Sequence, residues 1–158
     1  MKKATRILAA VFAAVMIVLC LASCDNGGGS EKITVEVWVY KDNNCTEPFV
    51  AAKDIKLNAG ATALEAVDAL CELRGCTYTL GMDNQFSTVT FEDTTIEASD
   101  KLLENGDKEM NFFGWKVNDT VMLDINATNI VLPKDKVLAD GDKVIIYMMT
   151  EVVTPAAE

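Results

Sequence analysis

Apolar and polar residues follow three different patterns along the chain. Residues 7–21 are almost unbroken apolar sequence and follow a basic start. From residue 33 onward, short segments alternate between apolar and polar residues and are separated by turn-forming residues, which predicts β-strands. Residues 63–74 instead repeat their apolar residues at helical spacing, which predicts one buried helical stripe.

The first alternating segment, residues 33–40, is the clearest strand. Its predicted core face consists of Ile33, Val35, Val37 and Val39. Trp38 and Tyr40 fall on the opposite, more solvent-exposed face, where we expect them to pack against residues of neighbouring strands.

Further strands are predicted at residues 49–57, 76–80 and 86–91, in a hairpin over 112–123, and at 143–149. The hairpin turns at Asn118-Asp119, a pair that favours a tight turn. The last strand is apolar on both faces, which places it centrally in the sheet. Residues 92–109 show no regular pattern, and the apolar pattern fades from residue 152 onward.

Residues 63–74 carry signals for both ends of a helix. Thr62 and Glu65 form a capping box before the apolar stripe. Arg74 and Gly75 suit the C-terminal end, through the helix dipole and the left-handed cap respectively. One helix covers only one face of a mixed sheet, so the sequence predicts a two-layer α+β domain.

The first 23 residues have the layout of a secretory signal peptide, with small residues before Cys24. The ending Leu-Ala-Ser-Cys resembles the lipobox of bacterial lipoproteins, in which the cysteine receives diacylglycerol and becomes the new N-terminus. The resemblance implies an exported protein, anchored through Cys24 to the outer face of the bacterial cell membrane. Residues 24–31 are then the lipidated cysteine and a flexible tether, residues 32–153 the domain and residues 154–158 a tail. The alternatives are a single-span anchor and an ordinary secreted protein.

Charge and composition narrow the function classes. Removal of residues 1–23 leaves 11 basic and 24 acidic residues, a net charge of −13. Such an excess argues against binding to nucleic acid, whose phosphates need Lys and Arg. Acidic residues concentrated on one face would, however, leave another face free of negative charge. The chain has no histidine, which removes the commonest transition-metal ligand and the usual base for a nucleophile. The carboxylate pairs Asp140/Asp142 and Glu92/Asp93 are expected to form turns. We therefore predict no enzyme, no metal site and no resident cofactor.

Three cysteines remain in the domain: Cys45, Cys71 and Cys76. An exported protein permits one disulfide among them. The helix returns across the first hairpin, so Cys45 in the hairpin loop is able to approach Cys71 or Cys76. The local bridge Cys71–Cys76 is the competitor, and the sequence does not choose between these pairings.

Three short motifs occur in a characteristic order: Gly60-Ala61-Thr62-Ala63-Leu64-Glu65-Ala66, then Gly114-Trp115-Lys116-Val117-Asn118, then Asp140-Gly141-Asp142-Lys143-Val144. Together they resemble a bacterial surface domain similar to the C-terminal β-domain of transcobalamin and intrinsic factor. The likeness spans roughly residues 32–151. It implies a β-grasp-like fold and, as ligand, a cobalamin or related corrinoid. Two positions depart from the family pattern: the spacing between Trp115 and Val117-Asn118 is compact, and Asp119 replaces a glycine.

From the aromatic hairpin and the resemblance we predict a binding module for a bulky, partly apolar ligand. The predicted ligand-binding residues are Trp115, Phe113 and Asn118, with Tyr78 and Met82 as weaker additions. The competing interpretation is that Trp115 and its neighbours are core residues. The alternative function is a surface adhesion or envelope-assembly module that binds a protein or a glycan.

Overall fold

The part of the chain that the structure describes consists of a single helix and the strands of two sheets. The structure is a computed structural model and describes residues 31–81, 83–123 and 130–154. The predicted signal peptide, the lipidation site Cys24 and Met82 lie outside these ranges. The elements are β1 (Lys32–Tyr40), β2 (Pro48–Asn58), α1 (Ala63–Arg74), β3 (Thr77–Leu80), β4 (Phe86–Phe91), β5 (Thr94–Glu97), β6 (Ser99–Leu102), β7 (Lys108–Val117), β8 (Thr120–Leu123) and β9 (Lys143–Val153).

The larger sheet has six strands in the order β2-β1-β9-β7-β6, with β8 also paired to β7. β1 and β9 run parallel, whereas β1–β2 and β7–β9 are antiparallel. β9 therefore lies between β1 and β7, which confirms the central position predicted from its apolar character. The sheet is mixed, as expected for an α+β domain.

The second layer consists of α1 and a small antiparallel sheet, β3-β4-β5. One face of α1 is buried through Ala63, Ala66, Val67 and Leu70. These residues join Phe86 and Val89 of the small sheet in one core cluster with the inner face of the large sheet. That inner face includes the predicted alternating set of β1, whose four residues are all buried. Apolar burial on this scale is the main term that holds the two layers together.

The helix begins and ends where the sequence predicts. The Glu65 N–H donates to Thr62 Oγ1 (3.3 Å), and the Thr62 N–H donates to Glu65 Oε2 (2.6 Å). Gly75 adopts φ 72°, and its N–H donates to the Cys71 carbonyl. Both ends thus satisfy backbone groups that a helix leaves unpaired.

The prediction for residues 92–109 is wrong, because this segment contains β5, β6 and the start of β7. All four residues of β6 are exposed, and three of the four in β5 are exposed. Only Ile96 of these two strands packs against the core. One apolar contact gives no period to detect, and backbone pairing to β4 and β7 forms the strands instead. The last strand, predicted over residues 143–149, continues to Val153. No helix among the described residues is long and apolar enough to cross a membrane.

Candidate functional site

The predicted aromatic platform of the hairpin is part of the core. Trp115 is 1% exposed and Phe113 is 2% exposed, so the expectation that these rings meet a ligand is wrong. Alternation along β7 places them, with Val117, on the inner face beneath the second layer. β7 is also an interior strand, paired with β9 on one side and with β6 and β8 on the other.

Asn118 is exposed, but its amide serves the fold. Its Nδ2 donates to Asp142 Oδ1 (2.9 Å), and the Lys143 N–H donates to its Oδ1 (2.9 Å). The residue has φ 53°, a left-handed conformation that asparagine tolerates better than most residues. Both polar ends of the side chain join the β7–β8 turn to the start of β9, so a role in ligand binding has no support here.

The segment Asp140-Gly141-Asp142 forms the predicted turn. Asp140 Oδ1 accepts the Thr34 N–H (2.7 Å), and Asp142 Oδ2 accepts the Ala139 N–H (2.8 Å). The second and third sequence motifs therefore meet at the Asn118–Asp142 contact, where side chains fix the entry of β9 beside β1. Within the described residues, no group of three acidic or cysteine side chains is arranged to hold a metal ion.

Tyr78 belongs to the small sheet rather than to the region around Asn118. Its hydroxyl donates to Asp68 Oδ1 on α1 (2.5 Å), and its ring packs edge-on against Phe86. Burial, and then the hydrogen bond and charge of Asp68, raise the pKa of Tyr78 above its ordinary value. The tyrosine thus ties the helix to β3. Met82, the other weak candidate, lies outside the described residues.

The three cysteines separate into a pair and a single thiol. Cys71 Sγ and Cys76 Sγ are 2.9 Å apart, although both are free thiols in this structure. Cys45 packs instead against Tyr40 and Tyr147, in a cluster distinct from the main core. The structure therefore favours the local pairing among the alternatives that the sequence leaves open.

The outer face of the large sheet carries a second aromatic cluster, which we call the Trp38 face. Its rings and apolar side chains are Trp38, Tyr40, Ile145 and Tyr147, and its cations are Lys53, Lys116 and Lys143. Strand register aligns Trp38 with Ile145 and Tyr40 with Tyr147 on the parallel pair β1–β9. Among the described elements, α1 and the small sheet pack on the other side.

Lysines from three strands converge on these rings. Lys143 Nζ lies 4.3 Å and Lys53 Nζ 5.2 Å from the Trp38 ring centroid, and Lys116 Nζ lies 6.0 Å from that of Tyr147. Cation–π attraction favours each placement. The indole Nε1–H donates to Glu36 Oε2 (2.9 Å), which fixes the ring. The Trp38 ring remains only partly buried. Tyr40, Ile145 and Tyr147 beside it are 6%, 8% and 7% exposed, so Trp38 is the one ring of this face that is open to a ligand.

A bulge in β2 brings Lys53 to this face. The register of β1 with β2 shifts between Val35, which pairs with Ile55, and Val37, which pairs with Ala52. Asp54, within the shifted stretch, takes φ 56°. The extra residue changes the side to which the strand presents its side chains, and Lys53 reaches the indole as a result.

The loop between β1 and β2 covers one end of the Trp38 face through Cys45. Burial raises the pKa of the Cys45 thiol, and Asp42 raises it further, while Lys116 and Lys143 act in the opposite direction. The thiol is consequently a weak nucleophile at neutral pH. Its contribution to the face is packing.

A groove lies on the other side of the same loop. It has a volume of about 470 Å³ and is lined by Lys41, Asp42, Thr46, Glu47, Pro48, Phe49, Phe91, Glu92 and Thr94. Phe49 and Phe91 meet edge to face at 6.0 Å, with Lys41 over the first ring and Arg74 over the second. Three carboxylates on its rim make this groove less suited to an acidic or carbonyl-rich ligand than the Trp38 face.

The sequence identified two of the seven residues of the Trp38 face. It placed Trp38 and Tyr40 opposite the core, and this placement is confirmed. It missed the lysines, because they come from β2, β7 and β9 and meet only through strand pairing. The alternation Lys143, Ile145, Tyr147 along β9 was the available signal. Comparison with protein-family models and with curated proteins finds no match.

Proposed function

We propose that this protein is an extracytoplasmic binding lipoprotein that takes a bulky, partly apolar ligand on the Trp38 face. The observation that carries the proposal is the convergence of Lys53, Lys116 and Lys143 on an aromatic cluster. The chain is otherwise strongly acidic, with 24 acidic and 14 basic residues. A local cationic, aromatic face is a feature that solubility alone does not require.

The chemistry of the face suits a ligand that combines flat apolar area with carbonyl or anionic groups. The Trp38 ring provides contact area with little loss of side-chain entropy, and the ammonium groups around it donate hydrogen bonds to oxygen. The face extends across β2, β1, β9 and β7, about 14 Å at ordinary strand spacing. A corrinoid, which joins an apolar macrocycle to amide carbonyls and a phosphodiester, is the most concrete candidate.

The topology supports a β-grasp-like assignment for the domain. A β1–β2 hairpin leads into α1, and the last strand, β9, returns parallel to β1 in the middle of the sheet. This arrangement agrees with the fold that the motif resemblance implies. The small sheet β3-β4-β5 is then an insertion between the helix and the returning strands.

A fluorescence titration tests the ligand. The chain has two tryptophans, so the full chain carrying Trp115→Phe reports from Trp38 alone. Titration with cyanocobalamin in detergent is expected to quench the emission with saturation, because the corrin absorbs where indole emits. N-acetyltryptophanamide at equal absorbance corrects for the inner-filter effect. A flat titration to high micromolar ligand would refute the corrinoid assignment.

Lysine variants test the location. In the same Trp115→Phe background, Lys53→Met with Lys143→Met is expected to weaken binding at least tenfold, because both ammonium groups next to the indole are lost. Lys101→Met, on the edge strand β6, is the matched control and should bind as the parent does. Equal binding by all three proteins would place the ligand elsewhere.

Membrane attachment through Cys24 has its own test. Cells that express the chain and are fed labelled palmitate are expected to incorporate label into the protein. Cys24→Ala should abolish incorporation, whereas Cys20→Ala, four residues earlier in the apolar run, should retain it. Label in the Cys24→Ala protein would exclude lipidation at this residue.

The second candidate function is an envelope interaction module. The exposed edge strand β6 favours it, since all four residues are open and Leu102 is 74% exposed. Recovery of the same envelope protein or glycan by the wild type and by Trp38→Ala, but not by Leu102→Asp, would support this function over ligand binding on the Trp38 face.

A further inference from the structure

We propose that Cys71 and Cys76 form an intramolecular disulfide that fastens the end of α1 to the start of β3, while Cys45 remains a thiol. The inference concerns the helix and the small sheet and does not depend on the ligand assigned to the Trp38 face. It makes the pair a modification site whose co-reactant is a disulfide oxidant, such as glutathione disulfide or an exchange-competent protein disulfide.

The chain path brings the two sulfurs together. Cys71 lies in the last turn of α1, and Gly75 reverses the chain in a left-handed conformation with φ 72°. Its N–H donates to the Cys71 carbonyl at 2.8 Å, which holds the reversal. Cys76 then follows and places Sγ 2.9 Å from Cys71 Sγ. Two sulfurs this close need only a small movement to reach bonding distance.

Cys45 has no such position. It packs against Tyr40 and Tyr147 in the cluster on the outer face of the large sheet. Cys76, by contrast, belongs to the main core between the layers and is 4% exposed. A bond between Cys45 and either of the other cysteines would require the β1–β2 loop to leave the Trp38 face. The pairing is therefore local.

The surroundings make this pair structural rather than catalytic. Burial, the hydrogen bond with Cys76 and the charge of Asp68 all raise the pKa of the Cys71 thiol. Catalytic disulfide exchange depends on a depressed thiol pKa. None of the causes that act on the Cys71 thiol lowers its pKa. The bond should form slowly and then persist.

The bond forms by two exchange steps. The half-buried Cys71, as thiolate, attacks one sulfur of glutathione disulfide, forms a mixed disulfide and releases one glutathione thiolate. The Cys76 thiolate then attacks Cys71 Sγ, forms the internal bond and releases the second glutathione. The two cysteines lose two protons and two electrons, and one glutathione disulfide is reduced to two glutathione thiols.

The bond would also restrain a contact at the edge of the groove beside Phe49. Arg74 lies between the two cysteines, and its guanidinium sits 5.9 Å from the Phe91 ring centroid. Closing the turn over residues 71–76 limits the positions that Arg74 and the neighbouring β3 strand adopt. The modification therefore links the helix, the small sheet and the groove.

Peptide mapping tests the pairing directly. The full chain, purified from expressing bacteria and fully reduced, is incubated with glutathione disulfide, alkylated and digested with trypsin. Cleavage at Lys and Arg places the cysteines in three different peptides, residues 42–53, 57–74 and 75–101. The expected product is a linked pair of the 57–74 and 75–101 peptides, with alkylated Cys45. Cys45→Ala should give the same linked pair.

Thermal unfolding provides the second measurement. The oxidised protein is expected to melt about 5–10 °C above the reduced protein. Cys71→Ser, a change at the less buried member of the pair, should show no oxidant-dependent shift. A linked peptide that contains residues 42–53, or complete alkylation of Cys71 and Cys76 after prolonged oxidation, would overturn the proposal.

Discussion

Gly114 occupies a position in β7 where Tyr147 and Met149 leave no room for a side chain. A Cβ at this residue would lie 2.7 Å from Tyr147 Cε2 and 2.9 Å from Met149 Sδ. Its neighbours Phe113 and Trp115 point to the opposite face and are buried there. The glycine thus permits the Tyr147 ring to approach the β7 backbone closely at one end of the Trp38 face.

Gly114→Ala is expected to destabilise the protein by about 1–3 kcal/mol, because the Tyr147 ring and Met149 must move to admit a methyl group. Urea unfolding measures the change. Gly81→Ala is the matched control, since its nearest atom, the Gln85 carbonyl oxygen, is 3.9 Å from the added Cβ. An equal free energy of unfolding for Gly114→Ala and wild type would contradict the close packing.

Trp115 fills the largest fully buried side-chain position in the described core. Its Nε1–H has no hydrogen-bond partner among the described residues. A buried donor without a partner destabilises the folded state, whereas burial of the apolar ring stabilises it. The two effects oppose each other at one residue, and substitutions are able to separate them.

Trp115→Ala is expected to lower the free energy of unfolding by about 3–5 kcal/mol, through lost burial and a cavity. Trp115→Phe should cost less than about 1.5 kcal/mol, because it keeps most of the ring and removes the unpaired N–H. Denaturant unfolding checks both values. Leu73→Ala, at a side chain that is 63% exposed, should change stability by less than about 0.5 kcal/mol. A Phe variant as unstable as the Ala variant would show that the indole N–H is satisfied.

At the scale of elements, the β7–β8 turn and the start of β9 are joined by one side chain. Asn118 bonds Asp142 and the Lys143 N–H, and the Asn118 N–H donates to the Lys143 carbonyl (2.8 Å). The Glu36 N–H in turn donates to the Asp142 carbonyl (2.9 Å). The contact therefore holds β1, β7 and β9 in register at one end of the sheet. Parallel pairing of β1 and β9 is the longest-range connection in the fold, and it begins here.

Asn118→Ala is expected to cost about 2–4 kcal/mol, since it removes the side-chain bonds and places alanine at positive φ. Asn118→Gly should be about 0.5–1 kcal/mol less damaging, because glycine tolerates that backbone. Asn84 provides the control: it has φ 55° and no side-chain hydrogen bond in the described part of the chain. Asn84→Ala should therefore lose only the backbone contribution, about 1 kcal/mol. Equal decreases in the free energy of unfolding for Asn118→Ala and Asn84→Ala would show that the Asn118 side chain does not link these strands.

At the scale of the whole molecule, contacts within the second layer and on the outer face of the large sheet depend on protonated groups. Tyr78 of β3 donates its hydroxyl proton to Asp68 of α1. The pKa of Tyr78 is raised from its ordinary value of 10.0, and the pKa of Tyr40, on the outer face, is raised by burial and by Cys45. The folded state therefore favours neutral tyrosines on both sides of the sheet.

The stability of the protein is expected to fall as the pH rises above about 10. Below that value both states keep the Tyr78 proton, and its contribution is constant; above it the unfolded chain releases the proton first, so the free energy of unfolding decreases. Urea unfolding between pH 8 and 11 measures the decline, and Tyr78→Phe should make it shallower. The raised pKa of Cys71 acts in the same direction from about pH 9 in the reduced protein. A wild type and a Tyr78→Phe protein with parallel pH profiles would contradict the assignment.

Most of the elements were predictable because their signals are local. The capping box of α1, the alternation of β1 and the apolar run of β9 each lie within a dozen residues, and each element forms where its pattern predicts. β5 and β6 gave no such signal, since all their residues except Ile96 are exposed and pairing to neighbouring strands forms them. The binding site was predicted less well than the fold. Trp115 and Phe113 were predicted to lie on the surface, although the second layer covers their face of β7.

The sequence by itself determined the helix, the central position of β9 and the side of β1 on which Trp38 stands, because periodicity and chain polarity act through near neighbours. Only the tertiary structure decided which side of β7 the second layer covers, which lysines meet the indole, and which cysteines approach each other. These outcomes depend on strand order and on a bulge in β2, and both bring together residues far apart in the chain. No local sequence pattern predicts these contacts, since they form, and stabilise the fold, only when the strands have paired into the sheet.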